Sequence, residues 1–291
     1  LCAVNARDGS IVWRNDTISE QNAGRNDLSP QGYLLASEDY LFVPSGRSLP
    51  VAISKATGEI VFQRTHSWRT DAGGVVGGTK ALLGDGQVYA GGPHHFLAMD
   101  QGTGNVGEAW INGRQMVLAG PKAYLLDGEK LFCVNRAEHA EASQEKQKWF
   151  LKARQFRRDP KVVAEAKDKM REYRDVGIVW QYESDFDDVL IAAGNVVVAG
   201  GMNEVVMLDR ETGEEIWKTT VEGNVRGLAI DENLLTVSTD SGSVYGFRAD
   251  QTSSSPKAWP EKYQPAFAED DETKFFRQAA EELLQQSGQR D

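Results

Sequence analysis

Cysteine is scarce: two in 291 residues, with no C-x-x-C, no C-x-x-C-H and no closely spaced His/Cys cluster, so neither a structural zinc site nor covalent haem is indicated. Cys2 and Cys133 fall inside apolar runs and read as buried thiols, with nothing in the sequence to pair them. No apolar run reaches the ~18–20 residues that a membrane-crossing helix needs. Positive charge is also short. Lys and Arg number 32 against 43 Asp and Glu, a formal net charge of -11, which argues against nucleic acid because a polyanion requires a concentrated basic surface. The one Lys/Arg-rich stretch is 146–174. No G-x-S-x-G elbow, phosphate loop or zincin helix occurs. GGVVGG at 73–78 lacks the glycine order and following helix of a dinucleotide fingerprint.

What the chain does have is glycine, 29 residues of it, and a phrase written five times: a hydrophobic strand, a short polar turn, then a second strand that usually ends in Trp. It reads LCAVNARDGSIVW at 1–13, PVAISKATGEIVF at 50–62, HFLAMDQGTGNVGEAW at 95–110 and EVVMLDRETGEEIW at 204–217. A split copy joins LFCVNRA at 131–137 to GIVW at 177–180. A unit that returns every ~35–50 residues cannot bury its own apolar face, so its copies must stack on one another.

Short strand-like runs bounded by Gly- and Asp-bearing turns fill in the rest. Four complete four-stranded units are expected, over 32–64, 80–110, 114–182 and 189–219, with two strands of another at 1–14 and three at 225–247. The fold class is therefore all-β: a propeller of four-stranded antiparallel blades, four complete and two partial in this chain. Open blade edges expose unpaired backbone, so a propeller must close. Seven or eight blades are expected in the whole ring, six at minimum, with at least two strands preceding Leu1.

Two segments break the β pattern. Residues 137–175 are free of Gly and rich in Ala, Glu, Lys, Gln and Arg, which predicts two helices interrupted near Pro160. Trp149, Phe150, Ala153 and Phe156 form one apolar stripe, and Val163, Ala166, Met170 and Tyr173 the other. This helical insertion, 138–176, lies between the third and fourth strands of its blade. After the propeller domain at 1–250 comes a Pro-bearing polar linker, 251–268. An amphipathic helix follows at 269–291, carrying Phe275, Phe276, Ala279, Leu283 and Leu284 and ending near Gly288. It reads as a packing helix or the start of a further domain.

LDRETGEEIW at 208–217 and NARDGSIVW at 5–13 resemble the tryptophan-docking repeat of quinoprotein-like (PQQ-like) propellers. That family includes quinone-dependent alcohol dehydrogenases and non-enzymatic scaffolds such as the bacterial outer-membrane assembly lipoprotein. The stretch 15–37 with VPSGRSLP at 43–50 is similar to multidomain bacterial quinone-binding-like propellers. The resemblance implies that Trp13, Phe62, Trp110, Trp180 and Trp217 dock against neighbouring blades. It further implies that Gly9, Gly58, Gly104, Gly177 and Gly213 form the turns. If the Trp217 ring is fully buried, Trp217→Ala would cost roughly 3–5 kcal/mol.

Quinoprotein relatives bind pyrroloquinoline quinone over Ca²⁺ with an Asp base, a stacking Trp and commonly a disulfide of adjacent cysteines. This chain has no adjacent Cys pair, and repeat register accounts for most of its tryptophans. No cofactor or metal is therefore assigned, quinone and calcium belonging only to the alternative of a partial or degenerate dehydrogenase. Ligand-binding candidates sit where the repeat is interrupted: Arg25 and Asn26 in the loop 22–30, Arg47 in PSGRSLP, and His66, Trp68, Arg69 and Asp71 in 64–78. Adjacent His94 and His95 would point to opposite faces of a strand, which speaks against a shared metal. The leading expectation is a non-catalytic scaffold for protein or small-ligand recognition in a bacterial extracytoplasmic assembly. Its partners would be met through the helical arm and the C-terminal helix. A glycan-binding propeller is the third alternative. The periplasmic or other extracytoplasmic location is implied by the resemblance alone.

Overall fold

The computed structural model describes residues 1–15, 32–45, 48–63, 80–91, 95–186, 189–249 and 270–287. The chain divides into two compact units, Leu1–Ala249 and Asp250–Asp291. In the first, strands follow one another as antiparallel neighbours. β1 (Cys2–Val4) pairs with β2 (Ile11–Arg14). A four-stranded sheet follows, of β3 (Leu35–Ala36), β4 (Tyr40–Ser45), β5 (Ser48–Ser54) and β6 (Ile60–Phe62). The next has β7 (Lys80–Gly84), β8 (Gln87–Gly91), β9 (His95–Asp100) and β10 (Val106–Asn112). Then come β11 (Gln115–Ala119), β12 (Lys122–Leu126), β13 (Lys130–Asn135) and β14 (Ile178–Glu183), with helices α1 (Arg136–Gln155) and α2 (Pro160–Glu172) between the last two strands.

Beyond β14 come two long strands, the second of which carries the chain from one set of strands into the next. β15 (Val189–Ala193) pairs with the first half of β16 (Val196–Asp209), whose second half pairs with the first half of β17 (Glu215–Asp231). The remainder of β17 then opens a sheet with β18 (Leu234–Thr239) and β19 (Val244–Arg248). The second unit contains α3 (Asp271–Ser287), with Phe275, Phe276 and Leu283 exposed. The linker 251–268 lies outside the described residues.

The sheets are stacked face to face. Successive strand residues point to opposite faces, so an inner strand between two neighbours must be apolar on both. Accordingly Val43, Val51 and Ile53 join Trp13 of the first sheet, while the intervening Phe42 and Ala52 join Val88, Ala90, Leu97 and Met99 of the third. Tyr89, Phe96 and Ala98 face onward to Ala123, Leu125, Phe132 and Val134. Tyr124, Leu126, Leu131 and Cys133 meet Val197, Ala199, Val206 and Leu208. Val198 and Val205 meet Val225, Leu235 and Val237. This serial sharing of cores makes the architecture an all-β, propeller-like one.

The turn between a sheet's third and fourth strands is built the same way in several copies. In DRETG, the Asp209 Oδ1 atom accepts from the Glu211 N–H (2.8 Å), the Thr212 N–H (2.9 Å) and the Thr212 hydroxyl, and Gly213 N–H donates to the Asp209 carbonyl at 2.9 Å. Asp100 repeats this with Gly102 and Thr103. These bonds favour the ionised form and hold both carboxyls below their ordinary range: Thr103 contributes most at Asp100, the Thr212 and Glu211 backbone N–H groups at Asp209. Gly213 closes the turn at φ +75°, a left-handed conformation that a side chain makes costly.

Each such glycine is also a seat for an aromatic ring from the preceding sheet. A Cβ placed on Gly58 would lie 2.5 Å from the Trp13 ring, one on Gly104 2.6 Å from Phe62, and one on Gly213 2.5 Å from Trp180. Two indoles also donate to the first residue of the turn they cover: Trp13 Nε1 to the Lys55 carbonyl (2.8 Å) and Trp180 Nε1 to the Arg210 carbonyl (3.1 Å).

Some expectations need correction. Trp217 is half-buried, packing edge-on against Phe247 at 4.9 Å, so the full-burial premise for its replacement does not hold. Cys2 is exposed, on a strand with one paired neighbour, whereas Cys133 is buried. Burial pushes the Cys133 thiol up to about 11. Near pH 8 a thiol reagent should therefore label one cysteine in the folded chain and two in denaturant. In urea titrations Trp180→Ala should cost about 3–5 kcal/mol and Trp217→Ala less, roughly 1–3 kcal/mol. Gly213→Ala should cost more than Gly9→Ala, which shares the left-handed backbone but meets nothing within 4 Å among the described residues. Equal costs for the two glycines would show that the indole seat contributes nothing.

Candidate functional site: the helical hairpin and its anchor

Arg25, Asn26, Arg47, His66, Trp68, Arg69 and Asp71 all lie outside the described residues, as does His94. Among the described residues, no group of three or more His, Cys, Asp or Glu side chains is arranged to hold a metal ion. The feature that departs most from the repeat is the hairpin α1–α2, and at its root Glu108, His139 and Ser143 are buried.

The hairpin grows out of the same turn used elsewhere. Asn135 ends β13 where Asp209 ends β16, and its Oδ1 accepts from the N–H groups two and three residues on, Ala137 (3.1 Å) and Glu138 (3.4 Å). Asp209 uses that geometry to close a turn, whereas at Asn135 it is an N-cap, satisfying donors that the first helical turn leaves unpaired. Ala-, Glu-, Lys- and Gln-rich sequence then propagates the helix for 20 residues. Asp159 caps α2 in the same way and Pro160 occupies its first turn. Ala142 of α1 and Ala166 of α2 are both buried. Trp149, Phe150, Ala153, Val163, Met170 and Tyr173 are half-buried as the stripes predict, but Phe156 is exposed at the tip. The chain returns at Gly177, whose carbonyl accepts from Asn135 N–H at 2.7 Å.

That bond fixes the register. The equivalent bond from Asp209 goes to Glu214, so Gly177 matches Glu214 and not the turn glycine Gly213. At φ +83° it lies against the His139 backbone, 2.7 Å from where a Cβ would sit. Register also corrects the docking position of the third sheet. Trp13 pairs with Ala3, Phe62 with Ala52, Trp180 with Cys133 and Trp217 with Met207. The matching residue of β9, Ala98, pairs with Glu108, not Trp110.

Glu108 therefore stands where the other sheets place an aromatic ring, and the next sheet has a helix where the others have a Thr-Gly turn. The two changes meet. Glu108 Oε1 lies 2.7 Å from Nδ1 of His139 in the first turns of α1, each side chain about 10% exposed. A carboxylate only accepts, so the imidazole Nδ1–H donates. Lys146, two turns further along α1, faces Glu108 and Asp175. Its desolvation outweighs both carboxylates and lowers its affinity for the proton.

The start of the helix is tied to the third sheet as well. Arg136 pairs with Asp85, donates to Tyr89 Oη (2.7 Å) and Gly120 O (2.6 Å), and lies 5.5 Å from the Tyr89 ring centre. Burial opposes its charge, but the bonds to Tyr89 and Asp85 prevail and raise its proton affinity further. Gln144 Nε2 donates to Gly107 O at 3.2 Å. A cleft of about 410 Å³ remains between α1 and the sheet, lined by Gln87, Tyr89, Glu108, Arg136 and Gln144 among others.

Sequence reasoning missed Glu108 and His139 because it followed the Trp that ends the phrase. The usable signal was spacing: Trp13, Phe62 and Trp217 each lie four residues after the turn glycine, and four after Gly104 comes Glu108.

Comparison with known proteins matches this arrangement. Residues 1–140 and 174–264 match the family described as outer membrane protein assembly factor BamB, with the interruption falling inside the hairpin. The chain belongs to this family. Among solved structures it is similar to the crystal structure of BamB from Moraxella catarrhalis, 17% identical, with a TM-score of 0.51 over 86% of this chain and 65% of that one. This chain thus spans just under two thirds of that relative's length, and at this identity the likeness concerns the fold. The computationally designed Ika8 protein is also similar, at 13% identity and a TM-score of 0.41, with 77% of this chain and 74% of that chain covered. No curated protein matches the chain.

Removing either partner of the Glu108–His139 pair should leave the other buried without its bond. Glu108→Gln and His139→Ala should each cost about 1.5–3 kcal/mol, and the double variant much less than their sum. Additive losses in a urea double-mutant cycle would show that the two side chains do not hold each other.

Proposed function

We propose that this chain is a non-catalytic scaffold in a bacterial extracytoplasmic assembly, periplasmic and associated with the outer membrane. The helical hairpin is its contact arm to protein partners, and α3 offers a second amphipathic contact. The observation that carries this is the coupled substitution at the root: the blade accepts a projecting arm while the sheet stacking on either side keeps its register. Membership in a family described by outer-membrane protein assembly supports the same role. So does the use of polar groups at the root, where Glu108, His139 and Arg136 are engaged in fixing the helix. No helix among the described residues is long and apolar enough to cross a membrane. A closed ring of seven or eight blades, the propeller occupying 1–250, is part of the same proposal. Its support is the unbroken series of inter-sheet cores and the 65% of the Moraxella relative's length that this chain spans.

The test exploits the register. Residues 136–176 are replaced by Arg-Glu-Thr-Gly, the sequence at 210–213, and Glu108→Trp restores a ring for the new glycine. The variant should keep its β-sheet signal and cooperative unfolding while losing the envelope proteins that copurify with the intact chain. Retention of every partner would remove the arm from the function. The intact chain supplied with pyrroloquinoline quinone and Ca²⁺ should show no dye-linked oxidation of alcohols or sugars above protein-free and metal-free controls. Turnover abolished by replacing one pocket carboxylate would overturn the scaffold proposal in favour of a dehydrogenase.

A further inference from the structure

The far end of the hairpin has a composition unlike the rest of the chain. Residues 154–161 read RQFRRDPK: four cations and one carboxylate in a protein whose net charge is -11. Every residue of this run is exposed. The single carboxylate, Asp159, is occupied in capping α2 through Lys161 N–H (3.0 Å) and Val162 N–H (3.4 Å). Phe156 sits among the cations with 46% of its surface exposed, and Leu151 one turn back with 42%. A helix of this length carries the tip roughly 30 Å from the root.

Packing does not explain this tip, and helix formation accounts only for Arg154, a cation in the last turn of α1. An exposed aromatic at a helix C-terminus loses nothing by being polar, and the tight turn that follows needs no arginine pair. The run lies where α1 gives way to α2, with Phe156 exposed between Arg154 and the Arg157–Arg158 pair in the chain. An exposed apolar side chain flanked by cations suits an anionic boundary, where the charges reach phosphates and the ring enters the interfacial region. We propose that the hairpin tip docks on an anionic phospholipid surface, with Arg154, Arg157, Arg158 and Lys161 supplying the attraction and Phe156 the apolar contact. This goes beyond the scaffold proposal and does not depend on it, since protein contact along the flanks of the arm requires no contact of its tip with lipid.

The experiment is flotation of the full chain with vesicles of phosphatidylcholine alone or mixed with phosphatidylglycerol. Binding should appear with the anionic lipid only and weaken with added salt, as screening shortens the reach of surface charge. Each cation contributes on the order of fivefold to partition, so Arg157→Glu, Arg158→Glu and Lys161→Glu together should abolish binding. The last change places a carboxylate in the first turn of α2, which has none, so it favours the helix, and circular dichroism should stay as in the parent chain. Phe156→Ser should weaken binding severalfold while leaving its salt dependence. Failure of the parent chain to float with phosphatidylglycerol would overturn the proposal. So would binding that survives the triple reversal, which would assign it elsewhere, α3 included. Retention on immobilised polyglutamate without vesicle binding would assign the tip to an acidic protein instead. Loss of lipid binding with envelope partners still copurifying would overturn this inference alone.

Discussion

The stacking of the sheets rests on one contact, made three times among the described residues: a ring from the last strand of one sheet lying on the turn glycine of the next. It couples three requirements that would otherwise be independent. The turn must reach a left-handed backbone to close, which selects glycine. Absence of a Cβ then exposes a flat patch of backbone, and a flat ring from the neighbour covers it while its indole N–H pairs a carbonyl of the same turn. Sequence identity, local geometry and inter-sheet packing are thereby fixed together at Trp13–Gly58 and Trp180–Gly213, and by Phe62 on Gly104 without the hydrogen bond.

The same contact explains how the insertion is tolerated. Lengthening a closed turn from four residues to about forty costs on the order of 2 kcal/mol of chain entropy, which two capped and mutually packed helices readily offset. The greater difficulty is local, because a helix starting at Asn135 removes the glycine that a ring would cover. Retaining an aromatic at position 108 would press it against helical backbone. Glu108 resolves the conflict by exchanging a stacking contact for a hydrogen bond to His139, one turn into the new helix. An insertion and a substitution some thirty residues upstream are thus one structural event.

Most of the architecture was legible because it is written in repeated, short-range signals. Strand alternation, Asp-x-x-Thr-Gly turns and the abrupt change to Ala, Glu and Lys at 137 each report on a few neighbouring residues, and the structure places sheets and helices at those positions. What sequence misassigned depends on register across strands. Trp110 ends the phrase as the other tryptophans do, but register shifts on both sides of Glu108 bring that residue opposite Ala98. Gly177 looks like a turn glycine, and only its bond to Asn135 reveals it as the residue after one. Cys2 reads as buried from its apolar context and Phe156 as part of an apolar stripe, whereas both are exposed, because exposure is decided by which neighbours the fold supplies.

The chemistry of the root bears on what an arm requires. An apolar seat holds a helix by area and lets it slide or rotate at little cost, since such contacts have no direction. Hydrogen bonds do have direction, and here they join the start of α1 to Asn135 at its N-cap, to Glu108 on β10, and to Asp85 and Tyr89 of the third sheet through Arg136. Several directional bonds at the root constrain the direction of the helix as well as its position. Small errors of angle at the root grow along the length of α1, so a tip meant to meet a surface needs this kind of attachment. Desolvated polar groups such as Lys146 are the cost of that arrangement, and a blade in which orientation did not matter would have kept the ring.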